Sequence, residues 1–156
     1  MKKKNIETLL EEYFVELPEP YTRPSGISAS QKMGKYLHIK GVLPYLDGKL
    51  FAKGKIGAVV SVDQAAKAAR SAFLQALAVV KYQSEFELND IKSIVSVDAY
   101  LVAQETFTEH YKVLSNVSDF VAKIFGPKAS YASTCIAVES LPEQVSVMLD
   151  VVIEVK

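Results

Sequence analysis

Val145-Ser146-Val147-Met148-Leu149-Asp150-Val151-Val152-Ile153-Glu154-Val155-Lys156 alternates without a slip. Val145, Val147, Leu149, Val151, Ile153 and Val155 share one face, and Ser146, Met148, Asp150, Val152, Glu154 and Lys156 the other. A period of two is the mark of a strand with one face in a core. The apolar row needs a cover of helices. The mixed row needs water or a second protein surface.

Working back from that strand, residues 131–139 and 91–102 read as two further strands. Between them, Phe107, Tyr111, Leu114, Val117, Val121 and Ile124 keep helical spacing. Thr106 serves as the cap of this helix, which runs to Phe125, and Gly126-Pro127 closes it. Ser61-Val62-Asp63-Gln64 fits a capping box that opens an Ala-rich helix over residues 62–82. Tyr36 to Leu43 and residues 27–32 read as strands about a turn at Met33-Gly34-Lys35, and Asp47-Gly48 is a tight-turn signal before a short strand from Leu50 to Ile56. Near the start, Ile6, Leu9, Leu10, Tyr13, Phe14 and Leu17 form one face of an amphipathic helix over residues 6–17, with Asn5 as its N-cap. Pro18 and Pro20 end it and lead into an extended connector to residue 26.

The order helix, three strands, helix, strand, helix and two strands is α+β. It predicts a mixed or antiparallel sheet with two long helices on one face, plus the N-terminal helix. The whole of 1–156 reads as a single domain. Two helices cover one sheet face only, so self-association is an economical cover for the other.

Composition narrows the function classes. Apolar residues are 49% and charged residues 23%, with a formal net charge of zero. Arg23 and Arg70 are the only arginines, and the lysines are scattered, so no basic stripe points to nucleic acid. Cys135 stands alone, which excludes an internal disulfide and suits a reducing compartment. Met1-Lys2-Lys3-Lys4 is followed by acids instead of an apolar signal core, and no run approaches the ~20 apolar residues of a membrane span. The expected location is cytoplasmic. His38 and His110 lack metal-ligand spacing, so neither a metal nor another cofactor is expected.

Ser133-Thr134-Cys135-Ile136-Ala137-Val138-Glu139-Ser140-Leu141-Pro142, followed by the long alternating strand, resembles the C-terminal signature of the YjgF/RidA family. That family also carries the labels endoribonuclease L-PSP and reactive-intermediate deaminase. Gly34-Lys35-Tyr36-Leu37-His38-Ile39-Lys40-Gly41-Val42-Leu43-Pro44, with Asp47-Gly48 after it, is similar to the family's strand ending in Ser-Gly-Gln-x-Pro. Gly54-Lys55-Ile56-Gly57, Ser61 and the helix through Ala69-Arg70 resemble the next stretch, and Leu17-Pro18-x-Pro20 resembles a longer branch with an N-terminal extension.

The resemblance implies a chorismate-mutase-like fold and a homotrimer with ligand clefts between subunits. Characterised members hydrolyse enamines and imines without a cofactor. An arginine holds the substrate carboxylate, and a carboxylate-positioned water attacks the iminium carbon. On this pattern Asp150 takes the place of the family's catalytic glutamate, and Gly41, Thr134 and Cys135 fall at ligand-binding positions. Lys40 replaces a serine, Tyr21 is a candidate lid, and Ser133 replaces the arginine.

A serine hydroxyl cannot neutralise a carboxylate, so standard 2-imino acid deamination is doubtful, and whether the chain is an enzyme at all stays open. The expected function is therefore a trimer binding a small imine, enamine, keto or carboxylic acid metabolite. The alternative is a non-catalytic regulatory or scaffold trimer. Ribonuclease activity, implied by the older label, finds neither a pair of histidines nor a basic groove.

Each residue also has a plainer reading. A lone strand cysteine is most often a small buried hydrophobe. A strand lysine such as Lys40 is usually a solvated side chain, and Tyr21 is explained equally well by packing against the N-terminal helix.

Overall fold

A computed structural model describes residues 5–156. Its helices are α1 (Ile6–Glu12), α2 (Val62–Gln83) and α3 (Ser115–Phe125). Its strands are β1 (Ser30–Met33), β2 (Tyr36–Val42), β3 (Tyr45–Leu46), β4 (Lys49–Leu50), β5 (Ile91–Leu101), β6 (Cys135–Ala137) and β7 (Val147–Val155). The main sheet runs β1-β2-β7-β5-β6, antiparallel throughout except for the parallel β5–β6 edge. β3 and β4 form a separate hairpin closed by Asp47-Gly48, both with positive φ (51° and 74°), as a two-residue type I′ turn requires.

The alternation of β7 sets the layers. Val147, Leu149, Val151, Ile153 and Val155 lie in the core, packed with the apolar side of α2. The expected capping box holds: Ser61 Oγ accepts from the Gln64 N–H, and Gln64 Oε1 accepts from the Ser61 N–H. Small residues (Ala65, Ala68, Ala69, Ala72 and Ala76) are fully buried, which lets the α2 backbone lie close to its neighbours. α3 packs along α2, with Phe120 meeting Phe73 edge-on at 5.8 Å.

Several boundaries depart from the sequence expectation. α1 stops at Glu12 instead of residue 17. Phe14 takes φ 56°, and the N–H groups of Phe14 and Val15 donate back to the carbonyls of Glu11 and Leu10. This is the hydrogen-bond pattern of a Schellman stop, with a bulky residue where glycine is usual. The helix expected from Thr106 begins as an irregular segment and a 3-10 turn at His110–Leu114, and α-helix starts only at Ser115. That turn packs on α2 and is tied to β6 by the Cys135 thiol, which donates to the His110 carbonyl, so tertiary contacts override the helical period there.

The strand expected over residues 50–56 survives only as β4 and isolated bridges, because Ala52 adopts φ 60° and breaks the ladder. β1 occupies residues 30–33 in place of 27–32, and β6 shrinks from nine expected residues to three.

Candidate functional site

β2 bulges where it passes β7. Ile39 pairs with Val151 and Val42 with Leu149, so Lys40 and Gly41 together face Asp150 alone. Gly41 takes φ 60°, a conformation that favours glycine. The bulge frees the Gly41 N–H and carbonyl from the ladder, and side chains claim both. The N–H donates to Asp150 Oδ1 at 2.8 Å, and the carbonyl accepts from the Tyr21 hydroxyl at 2.9 Å. Tyr21 Oη also accepts from the Leu43 N–H at 3.0 Å, so one phenol bridges both sides of the bulge.

The path of the connector brings Tyr21 there. Gln75, buried on α2, accepts from the Tyr21 N–H and donates to the carbonyls of Glu19 and Tyr45, and the Tyr21 ring stacks on Tyr45 at 4.5 Å. Burial is the main reason the Tyr21 phenol is pushed up. The Leu43 N–H and the Arg23 charge partly oppose it.

Asp150 lies on the sheet face away from α2, its side chain 13% exposed. Its second oxygen accepts from the Tyr100 hydroxyl at 3.0 Å, and the Lys40 ammonium lies 3.7 Å from that oxygen. The hydrogen bond to Asp150 raises the Tyr100 phenol, with burial and the charges of Asp150 and Asp98 adding to it, so Tyr100 stays protonated as a donor. Asp98 is paired directly across from Asp150 on β5. Like charges in that position repel. Each has its own donor: Asp98 Oδ1 accepts from the Thr134 N–H at 2.8 Å. A polar row thus crosses the open sheet face from Gly41 through Asp150 and Asp98 to Thr134.

Arg23 caps the same bulge from the connector. Nη1 donates to the Lys40 carbonyl at 2.6 Å, and the guanidinium lies over the Tyr21 ring at 4.8 Å. Its Nε and Nη2 are buried and have no partner.

Of the residues expected from the sequence, the fold brings together Tyr21, Lys40, Gly41 and Asp150. Ser133 and Thr134 lie at the β6 end of the sheet. At ~4.8 Å per strand, two strands put Ser133 roughly 10 Å from Asp150 within one chain. Ser133 Oγ is buried and unpartnered. Cys135 points the other way. Its side chain belongs to the core, and burial pushes the thiol up to about 11, so its side chain does not join the Asp150 group. Strand alternation turns both neighbours of the exposed Thr134, Ser133 and Cys135, towards the interior.

Tyr100, Asp98 and Arg23 were not anticipated as site residues. Asp98 and Tyr100 were readable as the polar row of β5, alternating with Val97, Ala99 and Leu101. The position of Arg23 depends on the Gln75 tether, for which the sequence carries no local signal. Among the described residues, no group of three or more His, Cys, Asp or Glu is placed to hold a metal, and no helix is long and apolar enough to cross a membrane.

An open-faced mixed sheet backed by helices, with a carboxylate locked at a strand bulge, defines a chorismate-mutase-like class of protein. Residues 9–154 match the family model described as "YjgF/chorismate mutase-like, putative endoribonuclease", and the chain belongs to that family. It is similar to a crystal structure described as "a putative endoribonuclease" from Shewanella oneidensis, at 28% identity and a TM-score of 0.90, covering 97% of this chain and 100% of that one. It is also similar to Atu1372 from Agrobacterium tumefaciens, at 26% identity and a TM-score of 0.86, covering 97% and 93% of the two chains. Protein TCP17 of Trypanosoma cruzi is 28% identical over 122 residues, which are 78% of this chain and 76% of that protein.

Proposed function

We propose that the chain acts in the cytoplasm as a homotrimer whose intersubunit clefts bind a small imine, enamine, keto or carboxylic acid metabolite. The observation that carries this reading is the Asp150 carboxylate, fixed by the Gly41 N–H and the Tyr100 hydroxyl on a sheet face that the chain leaves uncovered. A carboxylate held in this way can orient a water towards an electrophilic carbon without a metal or cofactor. Lys40 and Tyr21 border the group, and Thr134 with the backbone of Ser133 and Cys135 completes a cleft from the β6 end of a neighbouring copy.

Ser133, whose hydroxyl is buried within the chain, stands where the family's deaminases carry arginine, so no charge is offered from that position. A charge-assisted hydrogen bond is worth roughly 1.5–3 kcal/mol, so hydrolysis of the standard 2-imino acids is expected to be slow. The test is to supply the imine released from serine or threonine by a dehydratase and follow ammonia. Hydrolysis far below that of an arginine-bearing family member supports the reading. An equal rate contradicts the weight placed on Ser133.

A second reading, a non-catalytic regulatory or scaffold trimer, has its own observation. Both oxygens of Asp150 already accept hydrogen bonds from within the chain, as in a structural carboxylate. Thermal-shift screening separates the two, since a ligand stabilises by RT ln(1 + [L]/Kd) and even a millimolar binder registers at high concentration. Stabilisation by a small keto or carboxylic acid favours the metabolite cleft, and a flat response across the panel favours the scaffold.

A further inference from the structure

We infer that Arg23 is the anion-binding residue of this site, and that the ligand carries a carboxylate which Arg23 takes through Nε and Nη2. The inference rests on the metabolite-cleft reading and names the chemical class of its ligand. Arg23 is tied down on one side only: Nη1 donates to the Lys40 carbonyl and, more weakly at 3.4 Å, to the Gly41 carbonyl, and the plane of the group lies over Tyr21. No carboxylate among the described residues pairs with it.

Nε and Nη2 are both out of solvent and both unpartnered. Two guanidinium N–H edges removed from water without an acceptor are costly, and an anion is the acceptor that best compensates them. The two free atoms are also the pair that matters. Nε–H and the Nη2–H beside it point the same way along one edge of the guanidinium, the fork that matches the two oxygens of a carboxylate.

The surroundings fit a small acid. Arg23 borders an open cleft of about 420 Å³, with the hydroxyl residues Thr22, Ser28 and Ser30 and the amide residue Gln83 on its walls. That volume suits a metabolite. Because Nε and Nη2 are buried, binding through them requires the Arg23 side chain to turn towards this cleft. The other cation near the bulge is less suited: the Lys40 ammonium is directed to Asp150, its side chain is 68% exposed, and it offers no planar fork. The guanidinium that Ser133 does not supply thus comes from a different element, against the same Gly41 bulge that Asp150 supports.

The experiment is isothermal titration of the full chain with pyruvate and with pyruvamide, its neutral isostere. Two charge-assisted hydrogen bonds predict that pyruvate binds on the order of 100-fold more tightly than pyruvamide. Arg23→Met is expected to bring the two within about threefold. Arg23→Lys, which keeps charge and bulk, is expected to retain a preference of about tenfold. The wild-type pair needs no variant to fold, so it decides first.

Equal binding of acid and amide by the wild type overturns the inference and leaves the cleft standing. An acid preference that survives Arg23→Met but disappears in Lys40→Met also overturns it, assigning the anion to Lys40. Binding of neither compound removes the cleft reading and this inference together.

Discussion

The two faces of β7 obey different rules. On one, Val147, Leu149, Val151, Ile153 and Val155 are all but completely buried in the apolar core. On the other, Met148, Asp150, Val152 and Glu154 are half-buried, and Asp150 owes its position to individual hydrogen bonds from β2 and β5. The inner face is held by area removed from water, which is non-directional and tolerates any side chain of the right size. The outer face is held by donors and acceptors that must meet within tenths of an ångström. Substitutions on the first are therefore expected to change stability, and substitutions on the second to change the site.

The largest expected effect lies on the inner face. Leu149→Ala should destabilise the fold by roughly 2–5 kcal/mol in urea unfolding, through lost transfer energy and the cavity left behind. Val152→Ala on the outer face should cost less than about 1 kcal/mol in the isolated chain. Similar costs at both positions would erase the contrast between the faces.

Next comes Asp150→Ala, which leaves the Gly41 N–H and the Tyr100 hydroxyl without their acceptor. A loss of about 1–3 kcal/mol is expected by the same measurement, with Tyr100→Phe costing about half as much. A neutral Asp150→Ala would mean that the carboxylate does not hold the bulge.

Phe14→Gly should act in the opposite direction. Phe14 sits at φ 56° and is 95% exposed, so it bears left-handed strain and contributes almost no burial. Glycine there is expected to raise stability by about 1 kcal/mol, less the entropy it adds to the unfolded chain. An unchanged melting temperature would show that the strain is absorbed elsewhere.

The smallest effect concerns Cys135 and pH. Its thiol is pushed up to about 11 in the folded chain by burial, against an ordinary value of 9.0. The folded state therefore holds this proton more tightly than the unfolded state does. Its contribution to stability is complete below pH 9 and falls away as the pH rises towards 11. Cys135→Ala should flatten that decline in alkaline urea melts, and the native thiol should resist iodoacetamide at pH 8 until the chain unfolds.

The same contrast explains how much was legible in the sequence. Period-two and helical spacing located α2, β2, β5 and β7, because burial of one face repeats along an element. The Ser61–Gln64 cap and the Asp47-Gly48 turn were readable because their chemistry is local. The ends of α1 and the start of α3 were not, since Phe14 turns left-handed without a glycine and the His110–Leu114 turn is set by packing against α2.

At the site, Asp150, Gly41 and Lys40 came from resemblance to a family and Tyr21 from its place beside the proline-rich connector, and the fold brings the four to one bulge. Tyr100 and Asp98 could have been assigned to a face but not to a partner. Arg23 could not be placed at all, because a glutamine more than fifty residues away steers the connector that carries it.

In the proposed assembly the outer face of the sheet is a working surface, closed by two further copies of the chain. Sedimentation equilibrium of the purified protein at micromolar concentration tests this most directly. The expected mass is three times that of the 17.2 kDa chain. A single species at the mass of one chain would leave Asp150 facing open water and contradict it.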